Sequence, residues 1–168
     1  MRTAAEANKL DRRRGYLMHV ASELAYQFLR VFARLEFALK GVSAYCQGNE
    51  GTKASANWAA FSAHVGPALA TELAAHPEWR LVLLDHPPQK EVVRHGVAVF
   101  EPRALGGGMP ETLLLEAVRR VRNNLFHGGK ENPERWPGHD TALITVSLEV
   151  LQVAADAEPA VRRRFYNG

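Results

Sequence analysis

The chain of 168 residues lacks the features that mark several specialised protein classes. Cys46 is its only cysteine, which excludes an internal disulfide framework and a cysteine-rich zinc site. No apolar run approaches the ~20 residues needed to cross a bilayer. The N-terminus is polar and carries Arg12, Arg13 and Arg14, which argues against a secretory signal. We therefore expect a cytoplasmic protein with no membrane partner.

The chain also has little net charge: 21 basic and 18 acidic residues give +3, which is too small to indicate a nucleic-acid partner. Hydrophobic residues make up 46% and charged residues 23%, so the composition is that of a globular chain and not of a disordered one. Arginines cluster at 119–122 and at 162–164. Such clusters are usually solvated helix faces, and phosphate binding is the alternative.

Helical periodicity is the dominant pattern in the sequence. Apolar residues recur at spacings of three and four from Leu17 to Val42, which predicts a first helix of roughly thirty residues and about 45 Å. Because so long a rod needs partners along its whole length, we expect a second copy of the chain to cover its exposed apolar face.

Proline and glycine divide the rest of the chain into further predicted elements. The first two are a loop from Gln47 to Ser55 and a second helix from Asn57 to about Ala75, with a kink or break at Gly66-Pro67. A short third helix begins at Pro77, and a fourth runs from Pro110 to a stop at Gly128-Gly129. A final long helix is capped by Asp140 and ended by Pro159, before a short basic tail. The β-branched run from Lys90 to Phe100, with a central His95-Gly96, predicts a small hairpin. The predicted fold is all-α: one domain over residues 1–168, built as a bundle of four to five helices with a hairpin and loop insertion at 87–103.

The chemically informative residues lie at the end of the fourth predicted helix, in the run Arg-Asn-Asn-Leu-Phe-His-Gly-Gly at 122–129. Asn123 and His127 are four residues apart and share a helix face, with Arg119 one turn earlier. Arg122 borders the apolar stripe of the same helix. The helix is therefore expected to present cationic and amide groups beside its packed side, and to end in an imidazole.

This combination suits the cleavage of an RNA phosphodiester. The 2′-hydroxyl must lose a proton and the 5′-oxygen must gain one, which a histidine such as His127 can assist near neutral pH. The transition state builds negative charge, which the forked donors of Arg122 stabilise. Asn123 orients the imidazole or donates to a non-bridging oxygen. The scheme needs no metal and no other cofactor, and the sequence shows no obvious metal-ligand cluster.

The run resembles the HEPN superfamily, whose ribonuclease members carry an arginine, four to six intervening residues and a histidine near a helix end, usually with a polar residue after the arginine. The string Asn-Asn-Leu-Phe-His-Gly-Gly is similar to that of stand-alone members linked to toxin and antiviral-defence systems. The resemblance implies a homodimeric helical bundle in which Arg122 and His127 of both subunits meet at one cleft. It implies an endoribonuclease that leaves 2′,3′-cyclic phosphate and 5′-hydroxyl ends, and we expect Arg119, Asn124 and Lys130 to bind the RNA.

The same resemblance adds a possible protein partner, namely an antitoxin or regulatory protein. In some toxin relatives a nucleotidyltransferase modifies a tyrosine two residues after the histidine. Gly129 stands at that position here, so this mode of neutralisation has no supporting residue in the chain.

Several alternatives remain open at the level of sequence. Six Arg-to-His pairs with this spacing occur in the chain: Arg12, Arg13 and Arg14 with His19, Arg80 with His86, and Arg120 and Arg122 with His127. His127 can serve simply as a cap at the helix C-terminus. Arg119 and Arg120 are expected to be solvated rather than catalytic, and His139 is a second histidine candidate. The alternative functions are a non-catalytic HEPN-like module that binds RNA or a protein, and a purely structural helical dimer.

Overall fold

The computed structural model of the chain describes residues 20–127 and 136–168, with the main chain alone at Phe126 and His127. The helices in these ranges are α1 (Ser22–Lys40), α2 (Trp58–Ala75), α3 (Pro77–Trp79), α4 (Pro110–His127), α5 (His139–Ala157) and α6 (Pro159–Asn167). The strands there are β1 (Cys46–Gln47), β2 (Ser55–Ala56), β3 (Lys90–Arg94) and β4 (Val97–Glu101). A 3₁₀ turn (Ser43–Tyr45) precedes β1, and a π-helical segment (Arg80–Asp85) continues α3. The predicted helical fold with a small hairpin is confirmed.

The first helix is shorter than its apolar pattern predicts. Helix α1 has 19 residues, which corresponds to about 28 Å rather than 45 Å. Val20 lies before it, and Val42 lies beyond the turn at Gly41 that ends it. The predicted length is wrong because apolar side chains flanking a helix can pack on the same core, so periodicity does not mark an end. The predicted start near Leu17 lies outside the described residues. The length of α1 therefore no longer argues for a second copy of the chain.

Helix α2 is continuous through Pro67, so the predicted break at Gly66-Pro67 does not occur. Proline removes one N–H donor from the helix and crowds the preceding turn. Phe61, Val65 and Leu69, on both sides of the proline, are nearly or fully buried in the core. Their burial on both sides of Pro67 stabilises the continuous helix, because each buried side chain of this size contributes roughly 1.5–3 kcal/mol.

The chain after residue 136 differs from the prediction at both ends of α5. Gly138 precedes the helix in the left-handed conformation, with φ 82°, so Asp140 lies inside the first turn and the predicted cap is wrong. Pro159 opens another helix, α6, where a basic tail was predicted. Its start is capped by Glu158, whose side chain accepts a 3.1 Å hydrogen bond from the N–H of Ala160. Proline fits the first turn of a helix, where its missing donor is not needed.

Helix α6 is held against α1 by hydrogen bonds from one arginine and by buried apolar side chains. The guanidinium of Arg34 donates to the main-chain carbonyls of Phe165 at 2.8 Å and Arg164 at 3.0 Å, and also to that of Gly168. The last carbonyls of a helix lack partners within it, and Arg34 supplies donors at this end. The carbonyl of Arg164 also accepts from the N–H of Gly168 at 3.2 Å. Phe165 and Val161 are buried between the helices.

The predicted hairpin is confirmed at β3 and β4. The strands are antiparallel, with Val92 opposite Val99. They are joined by His95 and Gly96, whose φ angles of 51° and 81° are both positive, as a tight two-residue hairpin turn requires. The predicted loop after α1 contains the short pair β1 and β2, in which Cys46 lies opposite Ala56.

The core of the described residues positions α4 for the candidate site. Leu114, Val118 and Val121 on one side of α4 are completely buried, and Leu125 is nearly so. They pack into one cluster with buried side chains of α1, α2 and α5. Among residues 110–125 of α4, only Arg119 and Asn123 are exposed. No helix within residues 20–127 or 136–168 is both long and apolar enough to pass through a bilayer.

Candidate functional site

The predicted residues Arg122 and Asn123 are in direct contact near the end of α4. Nη1 of Arg122 donates a hydrogen bond of 3.0 Å to Oδ1 of Asn123. Arg122 is partly buried, whereas Asn123 and Arg119 are exposed. This placement follows from the sequence, because burial of Val118 and Val121 turns the residues beside them towards the edge of the packed face.

The side chains of two further predicted residues, His127 and Lys130, lie outside the described residues. Residue 127 is the last of α4 and follows Asn123 by four positions on a continuous helix, but the side chain of His127 lies outside the described residues. Lys130 lies outside them entirely. The acid–base role of His127 and the RNA-binding role of Lys130 therefore stay predictions.

A pair of aromatic rings lies against the two arginines. Phe32 of α1 and Trp58 at the start of α2 are stacked, with ring centroids 5.2 Å apart and an interplanar angle of 27°. Cζ of Arg122 is 5.3 Å from the centroid of Phe32, and Cζ of Arg119 is 5.7 Å from that of Trp58. Both distances are within the range of a cation–π interaction. This aromatic pair was not predictable from the sequence, because the two rings and the arginines come from three separate helices.

Arg120 is not solvated, so its prediction is wrong. Its side chain is only 11% exposed. The guanidinium donates to the carbonyls of Arg103 at 2.6 Å, Ala104 at 3.2 Å and Pro88 at 3.3 Å, and to Oε1 of Glu116 at 3.1 Å. These carbonyls belong to the segments that enter and leave the hairpin. Arg120 thus joins both ends of the hairpin insertion to α4.

Asn124 has a similar structural role, unlike its neighbour Asn123. It is 8% exposed, and its Nδ2 donates a hydrogen bond of 2.8 Å to the carbonyl of Gln89, just before β3. Its amide is turned towards the hairpin and away from solvent. We therefore omit Asn124 from the residues that we propose to contact RNA.

The second histidine candidate is also turned into the protein. His139 is 3% exposed, and its ring centroid is 4.0 Å from that of Trp136. A group that exchanges protons with RNA must reach the substrate. His139 does not present its ring at the surface, so it is no longer a candidate for the acid or base.

An open groove of about 600 Å³ lies between α2 and α4 and reaches Arg119. Its lining includes Trp58, Ser62, Thr112, Glu116 and Arg119. Arg119 contributes the positive charge of this lining and Glu116 the negative charge. In the part of the chain that the structure describes, no group of three or more His, Cys, Asp or Glu residues is arranged to hold a metal ion.

The comparisons with known proteins give no further assignment of this site. No protein-family model, no curated protein and no solved structure matches the chain.

Proposed function

We propose that the chain is a metal-independent endoribonuclease of the HEPN type that works as a homodimer. The observation that carries the proposal is the contact between Arg122 and Asn123 at the surface end of α4, beside the exposed Arg119. Arg122 stabilises the phosphorane, His127 acts as acid or base, and Asn123 orients the catalytic side chains. Arg119 and Lys130 bind the RNA.

The chemistry assigns one task to each group. An imidazole of the dimeric site removes the proton of the 2′-hydroxyl, and the 2′-oxygen attacks the phosphorus. The bond to the 5′-oxygen breaks, and this oxygen takes a proton from the imidazolium of the other subunit. The products are a 2′,3′-cyclic phosphate and a 5′-hydroxyl.

The contact with Asn123 has a physical purpose in this scheme. A guanidinium carries five N–H donors in one plane. The hydrogen bond to Asn123 Oδ1 fixes the rotation of that plane, which lowers the entropy lost when a phosphate binds. The oriented fork then stabilises charge as it develops in the transition state.

The decisive experiment is cleavage of end-labelled single-stranded RNA by the purified chain, with and without a chelator. We expect chelator-resistant cleavage and 2′,3′-cyclic phosphate ends in the parent. We expect loss of at least about 100-fold in His127→Ala, the scale of lost general acid–base catalysis. His86→Ala and Arg80→Ala are matched controls, because Arg80 and His86 have the same kind of spacing elsewhere in the chain and should leave cleavage unchanged.

The alternatives appear as distinct results of the same experiment. RNA that is bound by the parent but never cleaved indicates the non-catalytic binding module. Cleavage by His127→Ala at the parent rate removes the catalytic assignment. Sedimentation of the parent as a single chain, under conditions in which it cleaves RNA, contradicts the dimeric site.

We further propose that the chain acts in the cytoplasm as a toxin or antiviral-defence protein controlled by an antitoxin or regulatory protein. Its support is the resemblance of residues 122–129 to such proteins. Expression of the parent in a bacterial host should arrest growth, whereas His127→Ala should not. Equal growth of the two strains at equal protein levels contradicts this biological role, but it does not contradict the proposed ribonuclease activity.

A further inference from the structure

The aromatic pair, Phe32 and Trp58, is placed where it can order both arginines of the candidate site. Phe32 is 4% exposed and Trp58 is 7% exposed, so neither ring is available to stack on an RNA base. The rings of Phe28 and Phe61 lie beside the pair but are not stacked on it: the centroids of Phe28 and Phe32 are 6.2 Å apart at an interplanar angle of 59°, and those of Phe61 and Trp58 are 6.4 Å apart at 71°. The pair is therefore a rigid part of the core, and it contacts the two arginines of the candidate site.

Each of the two arginines has its own ring in the aromatic pair. Arg119 and Arg122 are three residues apart on α4, a rise of about 4.5 Å along the axis. The stacked ring centroids are 5.2 Å apart. Arg122 lies over Phe32 and Arg119 lies over Trp58, so the stacked pair contacts both arginines at once.

Long side chains need such a support if they are to act at fixed positions. Arginine loses much rotamer entropy when it is held in one conformation. The negative face of an aromatic ring attracts the guanidinium and accepts it in a stacked orientation. At this site the support comes from α1 and α2, whereas the arginines come from α4. The packing of three helices thus sets the separation of the two cationic groups.

We propose that the aromatic pair is the positioning element of the site, which holds Arg119 and Arg122 at a fixed separation so that both engage the phosphates of one RNA strand. Phe32 and Trp58 are positioning residues, because they act through the arginines and do not touch the substrate. The part of this inference that concerns cleavage rests on the proposed function. The part that concerns the order of the arginine side chains does not.

The side-chain order is tested by nuclear magnetic resonance of the arginine guanidinium groups in the full chain. A proton held over a ring face is shifted by the ring current. We expect Phe32→Leu to remove this shift from Arg122, and Trp58→Leu to remove it from Arg119. Phe28→Leu is the matched control: Phe28 is fully buried on the same helix, one turn from Phe32, and the structure places neither arginine over its ring.

Cleavage of RNA by the same variants tests the catalytic consequence. We expect kcat to fall roughly 3- to 30-fold in Phe32→Leu, the range of one partly buried cation–π contact, with a smaller change in KM. Phe32→Tyr and Trp58→Phe keep a ring face and should recover most of the rate. Phe28→Leu should cleave like the parent at a temperature where all variants are folded.

The two readouts separate the possible failures. Unchanged arginine signals in both leucine variants overturn the positioning role, as does an equal loss of kcat in Phe28→Leu. A parent that does not cleave RNA overturns the proposed function, and the arginine signals then decide the positioning role by themselves. If Phe32→Leu does not fold, Trp58→Leu with Arg119 as its reporter provides the same test.

Discussion

The guanidinium of Arg120 donates a hydrogen bond of 2.6 Å to the main-chain carbonyl of Arg103, 17 residues earlier in the chain. It also donates to Ala104, directly after Arg103, and to Pro88 on the other side of the hairpin. One side chain therefore satisfies carbonyls of both segments that connect the hairpin to the bundle. The arginine cluster of α4 is divided: Arg120 supports the fold, while Arg119 and Arg122 lie at the candidate site.

Arg120→Met should lower the free energy of unfolding by about 2–3 kcal/mol, because it removes hydrogen bonds from a charged donor and leaves carbonyls without one. Urea unfolding measures the change. Arg80→Met is the control. The side chain of Arg80 is 55% exposed, and its Nε lies 3.8 Å from Oδ1 of Asp85. Its removal should lower the free energy of unfolding by under about 0.5 kcal/mol. Equal losses in the two variants would contradict the structural role of Arg120.

Asn123→Ala and Asn124→Ala should affect different properties of the protein although the residues are adjacent. Asn124→Ala breaks the buried bond to Gln89 and should lower the free energy of unfolding by about 1–2 kcal/mol. Asn123→Ala should change stability by less than about 0.5 kcal/mol, as expected for an exposed position, and should lower the rate of RNA cleavage. Thermal unfolding and a cleavage assay on the same samples decide this. A stability loss in Asn123→Ala as large as that in Asn124→Ala contradicts the assignment.

Trp79→Phe should destabilise the protein by about 2 kcal/mol, since it leaves a small cavity and removes a hydrogen bond to a carboxylate. Trp79 is 1% exposed, and its Nε1 donates a bond of 2.7 Å to Oε2 of Glu149. Glu149→Gln keeps an acceptor oxygen and should cost clearly less. Urea unfolding measures both variants. A larger loss of unfolding free energy in Glu149→Gln than in Trp79→Phe would contradict the prediction.

The stability of the protein should decline at alkaline pH partly through Tyr45. Burial, and then the negative charge of Glu158, raise the pKa of Tyr45 above its ordinary value of 10.0. Between that value and the raised one, the unfolded chain loses the phenolic proton more readily than the folded chain does. The contribution of Tyr45 to stability is therefore complete below pH 10 and is lost as the pH rises through the folded-state pKa.

Tyr45→Phe should accordingly show a shallower loss of unfolding free energy between about pH 9 and pH 11 than the parent does. Urea unfolding at several pH values gives the slope. Tyr26→Phe serves as the control, because the ring of Tyr26 is 58% exposed, and it should keep the slope of the parent. A Tyr45→Phe slope identical to that of the parent refutes the account.

Most of the helical order could be predicted from the sequence, because it depends on neighbours three and four residues apart. The hairpin was also predictable, since His95-Gly96 between two β-branched runs suits a turn with two positive φ angles. Errors came at the ends of elements. Val20 and Val42 continue the apolar pattern of α1 without being helical, and Pro159 begins a helix where an end was predicted. Local patterns do not show whether a flanking residue stays in the helix or leaves it.

The candidate site likewise has features that the sequence predicts and features that depend on tertiary packing. The sequence by itself determined that Arg119, Arg122 and Asn123 stand close together near the end of α4, because the helical repeat alone brings such residues to neighbouring positions. Only the tertiary structure decided that Arg120 is bound at the base of the hairpin, and that Phe32 lies under Arg122. The physical reason is that these contacts join segments far apart in the chain, and their geometry arises from the packing of whole helices, which no local spacing records.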